Sequence, residues 1–170
     1  AVLGVSDMRM TCLDIFCQQT ADIEIALEYH YKQAKKIVKT NEATIFYYDA
    51  SVAQKAIYEP ILVRAARKYK SFSIPIAQKS TIDKYDKIDT VVVSALISGL
   101  LDFSEELEHN PDWEEAKAQL LNFEKGGKYP VDFPDTLAAA IRMIQEYLNG
   151  DDTEDADEDT INATTISKRE

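Results

Sequence analysis

The stretch Thr44-Ile45-Phe46-Tyr47-Tyr48-Asp49 decides how this chain is read, because it is a short apolar run of strand length closed by an acid. A run of this kind, apolar without alternation, fits a strand covered on both faces. Helical spacing flanks it on both sides. From about Asp22 to Thr40, the residues Ile23, Ala26, Leu27, Ala34, Ile37 and Val38 form a stripe, and Lys35, Lys36 and Lys39 suit the negative end of a helix dipole. From Ser51 to Lys70 the helical period returns, with Pro60 marking an expected break or kink. A covered strand between two helices implies crossover connections within a sheet. Asp49 then stands at the strand's carboxyl end, where open α/β sheets gather their ligand sites.

Working outward, Val2–Met10 and Thr11–Gln18 read as two strands of an antiparallel hairpin. Phe72-Ser73-Ile74-Pro75-Ile76 reads as a further short strand, which Pro75 places at an edge. Asp83 to Leu100 carries a helical stripe of Ile88, Val91, Val92, Ala95 and Leu96, with Gly99 as its terminator. After the short Leu101-Asp102-Phe103 segment, Pro111-Asp112-Trp113-Glu114-Glu115 opens a helix that reaches about Phe123. Residues Lys125 to Pro130 form a loop, and Pro134 to Leu148 a last helix. The order is β-β-α-β-α-β-α-α-α. It predicts an α/β fold with a mixed sheet, an N-terminal antiparallel hairpin and helices on both faces.

Composition bounds the function. With 170 residues, 45% of them hydrophobic, the chain has the size and apolar content of one globular domain. No apolar run approaches the ~20 residues of a membrane-spanning helix. The formal charge is −11, and residues 149–170, with eight acids and two bases, account for −6 of it and leave −5 for residues 1–148. The division predicted is a folded domain over 1–148 and a disordered acidic tail over 149–170. Bulk charge of this sign gives no help to nucleic-acid binding, although a bound cation supplies local positive charge. No G-x-x-x-x-G-K-[ST] sequence is present, so the chain has no P-loop. His30 and His109 lie far apart without cysteine neighbours, which argues against a zinc site, and His30 is expected on a helix surface. Cys12 and Cys17, five apart on one expected strand, point to opposite faces and do not pair, in keeping with a reducing cytosolic setting. Ala1-Val2-Leu3-Gly4-Val5 is strand-like from its first residue, as expected of a piece cut from a longer protein inside a strand.

The remaining chemistry is carboxylate chemistry. Asp49 at a strand end, with Asp132 and Asp135 at the start of the last helix, can meet at one edge of the sheet. Hard oxygen ligands without cysteine suit Mg²⁺ or Mn²⁺, and two such ions ~3.5–4 Å apart activate water and stabilise the leaving oxygen of a phosphodiester. Each acid also has a plainer role. Asp49 can cap the helix beginning near Ser51, Asp132 can cap one beginning near Phe133 or Pro134, and Asp135 can serve as a first-turn acid.

Five ordered motifs favour the first role. They are Tyr48-Asp49 with Gln54; Asp83-Lys84-Tyr85-Asp86-Lys87-Ile88; Ser98-Gly99-Leu100-Leu101-Asp102-Phe103; Trp113 through Phe123; and Val131-Asp132-Phe133-Pro134-Asp135-Thr136-Leu137. In this order and spacing the chain resembles the nuclease domain of phage terminase large subunits. That family has a ribonuclease-H-like fold, an acid after a strand, a Lys-x-x-Arg-Ile helix start, a helix leading to Phe-Pro, and an Asp-Asp-x-x-Asp-Ala-Leu ending. The resemblance implies a two-metal Mg²⁺ or Mn²⁺ endonuclease acting on double-stranded DNA during packaging in the bacterial host cytoplasm. It implies the terminase small subunit and the portal protein as partners, and no membrane. It makes Asp49, Asp132 and Asp135 the metal-binding, catalytic acids, and Lys84 and Lys87 contacts to the DNA backbone. The chain departs from the family where Val131 replaces the first acid of the pair, Lys87 replaces Arg, and Glu124 follows Phe123 in place of Pro. The family's first catalytic Asp would lie upstream of Ala1. These departures leave a second expectation: a catalytically inactive ribonuclease-H-like module that docks other packaging components.

Overall fold

The computed structural model describes residues 1–18, 23–38, 46–49, 52–70, 75–78 and 82–149. Strands β1 (Val2–Ser6) and β2 (Arg9–Asp14) form the expected antiparallel hairpin, with Ser6 opposite Arg9 and Leu3 opposite Cys12. Its two turn residues, Asp7 and Met8, have φ of 49° and 64°, the sign pattern a type I′ turn requires. Met10 and Cys12 alternate onto the buried face, while Leu13 takes the opposite face with Gly4 and is 47% exposed. A Cβ at Gly4 would meet the Leu13 Cδ1 at 2.9 Å, so the exposed end of the Leu13 side chain would have to shift to admit one.

Helix α1 (Ile23–Val38), strand β3 (Tyr47–Asp49), helix α2 (Val52–Tyr69) and strand β4 (Ile76–Gln78) follow. β3 and β4 run parallel, pairing Tyr47 with Ile76 and Asp49 with Gln78, so α2 is the crossover foreseen. α2 continues through Pro60, where a break or kink was expected, so the proline does not end the helix. Its packing on α1, through Leu62, Ala65 and Ala66 against Leu27 and Tyr31, offsets the missing backbone bond. The Tyr31 hydroxyl also donates to the Leu62 carbonyl at 3.2 Å. His30, expected on the surface, is instead half-buried, edge-on to Tyr31 and Phe46 with both centroid distances at 4.7 Å. Burial holds its pKa below the ordinary value, which favours the neutral ring.

A continuous helix then runs from Lys84 to Ile97 as α3 (Lys84–Lys87), a π-helical segment (Ile88–Val93) and α4 (Ser94–Ile97). The Asp83 carboxylate caps its start, accepting from the Tyr85 N–H at 2.9 Å. Gly99, with φ of 65°, closes it: its N–H donates to Leu96 and that of Leu100 to Ala95, the Schellman pattern. Strand β5 (Leu101–Phe103) joins β2 in parallel, placing Leu101 beside Met10 and Phe103 beside Cys12. A 3-10 turn (Glu105–His109), α5 (Trp113–Leu121) and α6 (Asp132–Asn149) complete the described chain.

The fold is mixed α/β, with a three-stranded mixed sheet of order β1-β2-β5. The single sheet expected from sequence is two ladders among the described residues, because β3 pairs only with β4 there. Residues 41–45 and 71–74, into which the expected strands extend, lie outside the described residues, as do 150–170, which hold nearly all of the expected acidic tail. The main core joins Met10 and Cys12 of the sheet to Ile88, Val92 and Ala95, to Ala116 of α5, and to Leu137, Ala138 and Ile141 of α6. Fully burying each of these large aliphatic side chains contributes about 1.5–3 kcal/mol. This core fixes α5 and α6 against the exit of β2, where the cavity described next is formed.

Candidate functional site

A cavity of about 430 Å³ lies between the segment leaving β2, α5 and the first turn of α6, lined by Ala1, Phe16, Cys17, Gln18, Glu115, Gln119, Asp132, Phe133 and Thr136. Its acids are Glu115 and Asp132, both exposed. Two polar links hold the walls. On the β2 side, the carboxylate of buried Asp112 accepts from the Cys17 N–H at 3.0 Å and from the Gln18 side-chain amide at 3.1 Å. Asn110 carries that link onward, donating to Asp14 at 2.8 Å and to the Ile15 carbonyl at 3.0 Å, while its oxygen receives the Asp112 N–H at 2.8 Å. Asp14 also accepts from Gln33, which fastens α1 to the end of the sheet. These donors satisfy carboxylates that would otherwise be costly to bury.

On the α6 side the link is Gln119, 4% exposed. Its oxygen accepts from the Phe133 N–H at 2.9 Å, and its nitrogen donates to Glu115 at 2.9 Å and to the Cys17 sulfur at 3.5 Å. A helix start leaves its first N–H groups without intrahelical partners. Gln119 supplies one acceptor from a neighbouring helix, and this explains a correction at Asp132. Val131 takes the capping position, its carbonyl receiving the Asp135 N–H at 2.9 Å, and Asp132 is already helical. Its side chain is not needed as a cap. Pro134 is buried in the same turn, where a missing N–H costs little.

The sequence-predicted residues are divided by this arrangement. Asp132 lines the cavity, together with Glu115 rather than with Asp135. Asp135 makes an ion pair with Lys87 at 2.6 Å, their side chains 26% and 3% exposed. Lys87, assigned by sequence either to a DNA phosphate or to solvent, is therefore buried and its ammonium is engaged within the fold. Lys84 is exposed, its ammonium 5.2 Å from the centre of the Tyr85 ring. Asp49 closes β3 opposite Gln78, and its side chain lies outside the described residues, as does that of Gln54. Sequence reasoning missed Glu115, Gln119 and Asp112 as members of the site. Their spacing held the signal, since positions three and four apart share one face of a helix.

The thiols report the local electrostatics. Burial, and then the charges of Glu115, Asp112 and Asp132, raise the Cys17 pKa. Burial pushes Cys12 up to about 11. Both are free thiols whose anionic forms are disfavoured.

No protein-family model, curated protein or solved structure matches the chain. What the site can do rests on its own donors. No group of three Asp, Glu, His or Cys side chains among the described residues is placed to hold a metal ion. Glu115 and Asp132 nevertheless provide the hard oxygen donors that Mg²⁺ and Mn²⁺ prefer, and Mg²⁺ commonly takes one or two carboxylates and completes its shell with water. No described helix is long and apolar enough to cross a membrane.

Proposed function

We propose that the chain is a ribonuclease-H-like, metal-dependent endonuclease domain of the phage terminase large-subunit type, which cleaves double-stranded DNA during genome packaging. The observation that carries this reading is the exposed Asp132 carboxylate on a polar cavity, at the one motif in which the resemblance expects a catalytic acid on a helix start. Asp132 and Asp49 are the metal ligands in this reading, and Mg²⁺ or Mn²⁺, when bound, lowers the pKa of a water and neutralises charge at the leaving oxygen. Asp135 acts indirectly: paired with Lys87, it anchors the turn that presents Asp132. Lys84, exposed at the start of its helix, contacts the DNA backbone, a contact that positions without reading sequence. The terminase small subunit and the portal protein are the partners, and the bacterial cytoplasm is the setting.

The test is nicking of supercoiled plasmid in Mn²⁺. The wild-type chain should nick, and Asp132→Ala and Asp49→Ala should each abolish the activity. Nicking that survives both substitutions overturns the site. One observation favours the second reading, an inactive docking module. The Asp135 charge is already balanced by a buried ammonium, which leaves fewer acids for cations. Absence of nicking in the wild type with Mn²⁺ or Mg²⁺ would support that module.

A further inference from the structure

We infer that the exposed basic face of α2 is a docking surface for the chain's own acidic segment, residues 151–159, which lies beyond the described residues. Nothing in this contact depends on the nuclease reading. The chain carries a formal charge of −11, yet Val52 to Lys70 holds five bases, Lys55, Arg64, Arg67, Lys68 and Lys70, against one acid, Glu59. α2 is a positive element in a negative protein. Its other face is committed to α1, where Leu62, Ala65 and Ala66 are buried with Leu27 and Tyr31. Arg64 lies three positions before Arg67 and four before Lys68, so the three share the side turned to solvent, and all are exposed. Lys68 is matched by Glu24 of α1 at 3.3 Å. Arg64, Arg67 and Lys70 make no ion pair with a described residue.

Charge and reach select the occupant. Asp151-Asp152-Thr153-Glu154-Asp155-Ala156-Asp157-Glu158-Asp159 holds seven acids and no base. α6 ends at Asn149, ten positions before Asp159, and ten residues of extended chain span up to about 33–36 Å. A domain of about 150 residues has a radius of gyration of roughly 15 Å, so the run is long enough to reach faces well away from its anchor. A tethered partner acts at an effective concentration of millimolar order, which offsets the weakness of single surface ion pairs. Arginine suits the contact, since its planar fork takes a carboxylate through two parallel hydrogen bonds.

The test uses the full 170-residue chain, labelled with ¹⁵N, and a variant in which the five Asp of 151–159 become Asn and the two Glu become Gln. At low salt the backbone amides of Arg64 to Lys70 and the Arg64 and Arg67 side-chain N–H signals should differ between the two chains, while those of the β1–β2 hairpin coincide. Raising salt to about 0.5 M, which screens exposed charges beyond a few ångströms, should move the wild-type signals onto those of the variant. In Arg64→Glu/Arg67→Glu, the signals of residues 151–159 should sit where high salt puts them in the wild type. Both arginines are exposed, and unchanged hairpin signals report that the fold is kept. Signals of α2 that are the same with and without the tail charges overturn the inference, as does a shift of equal size in the hairpin. Shifts that grow with protein concentration put the tail on a second copy and overturn the intramolecular contact. A short DNA duplex that moves the wild-type α2 signals, where neutralising the tail does not, assigns the face to nucleic acid and overturns it equally.

Discussion

Asp132 and Asp135 belong to the same first turn of α6, yet the two sides of that turn differ in chemistry. On the α5 side, Asp132 is exposed on a cavity that it shares with the neutral amide of Gln119, which accepts from the N–H of the next residue, Phe133. On the side of the Lys84–Ile97 helix, Asp135 meets the ammonium of Lys87 at 2.6 Å, with the lysine closed to water and the carboxylate partly open to it. A first-turn acid gains from the helix dipole in either place. What separates the two is the neighbouring helix. One neighbour leaves the acid's charge open to a ligand, and the other has already balanced it.

The largest effect should come from the closed side. Asp135→Asn leaves the Lys87 ammonium buried without its counter-charge, and removing one partner of a buried pair typically costs about 3–5 kcal/mol. Lys87→Met should cost less, because the Asp135 side chain, 26% exposed, retains contact with water. Urea unfolding of both variants checks the order. A loss below about 1 kcal/mol in Asp135→Asn would erase the contrast, since that is the range of an exposed pair. On the open side, Asp132→Asn should change stability by no more than about 1 kcal/mol, the size of a helix-dipole contribution. The same substitution should abolish Mn²⁺-dependent nicking. A large loss of stability there would mean that Asp132 is a structural acid like its neighbour.

Much of the fold was legible in sequence because it follows from local chemistry. The hairpin, the helices flanking the β3 run and the Gly99 terminator each depend on residues within a few positions of one another. The site was legible only in part. Asp132 was visible through its motif, but Glu115 was read only as an acid at a helix start and Gln119 drew no reading of its own, because their partners come from α6, more than a dozen positions downstream of Gln119. Lys87 misled for the same reason. Nothing near it in sequence announces burial, which is set by Asp135 across 48 positions. The π-helical segment over Ile88–Val93 likewise had no local signal, since its stripe of Ile88 and Val92 fits an α-helix equally well.

The smallest effect should sharpen the contrast most directly, because it reads the charge of the open side without a metal. The Cys17 thiol is held above its ordinary pKa first by burial and then by Glu115, Asp112 and Asp132. Cys12, buried in the core with its pKa up to about 11, is the internal control. At about pH 8 both thiols are protonated in the main, and alkylation follows the small thiolate fraction, which rises as the pKa falls. Iodoacetamide should therefore modify Cys17 before Cys12. Glu115→Gln removes one of the anions that oppose the Cys17 thiolate, so its pKa should fall and its alkylation should quicken a few-fold, with the Cys12 rate unchanged. The sign is the informative part. A Glu115 carboxylate close to Cys17 makes the substitution accelerate the reaction, whereas a Glu115 turned away from the cavity leaves the rate as it was.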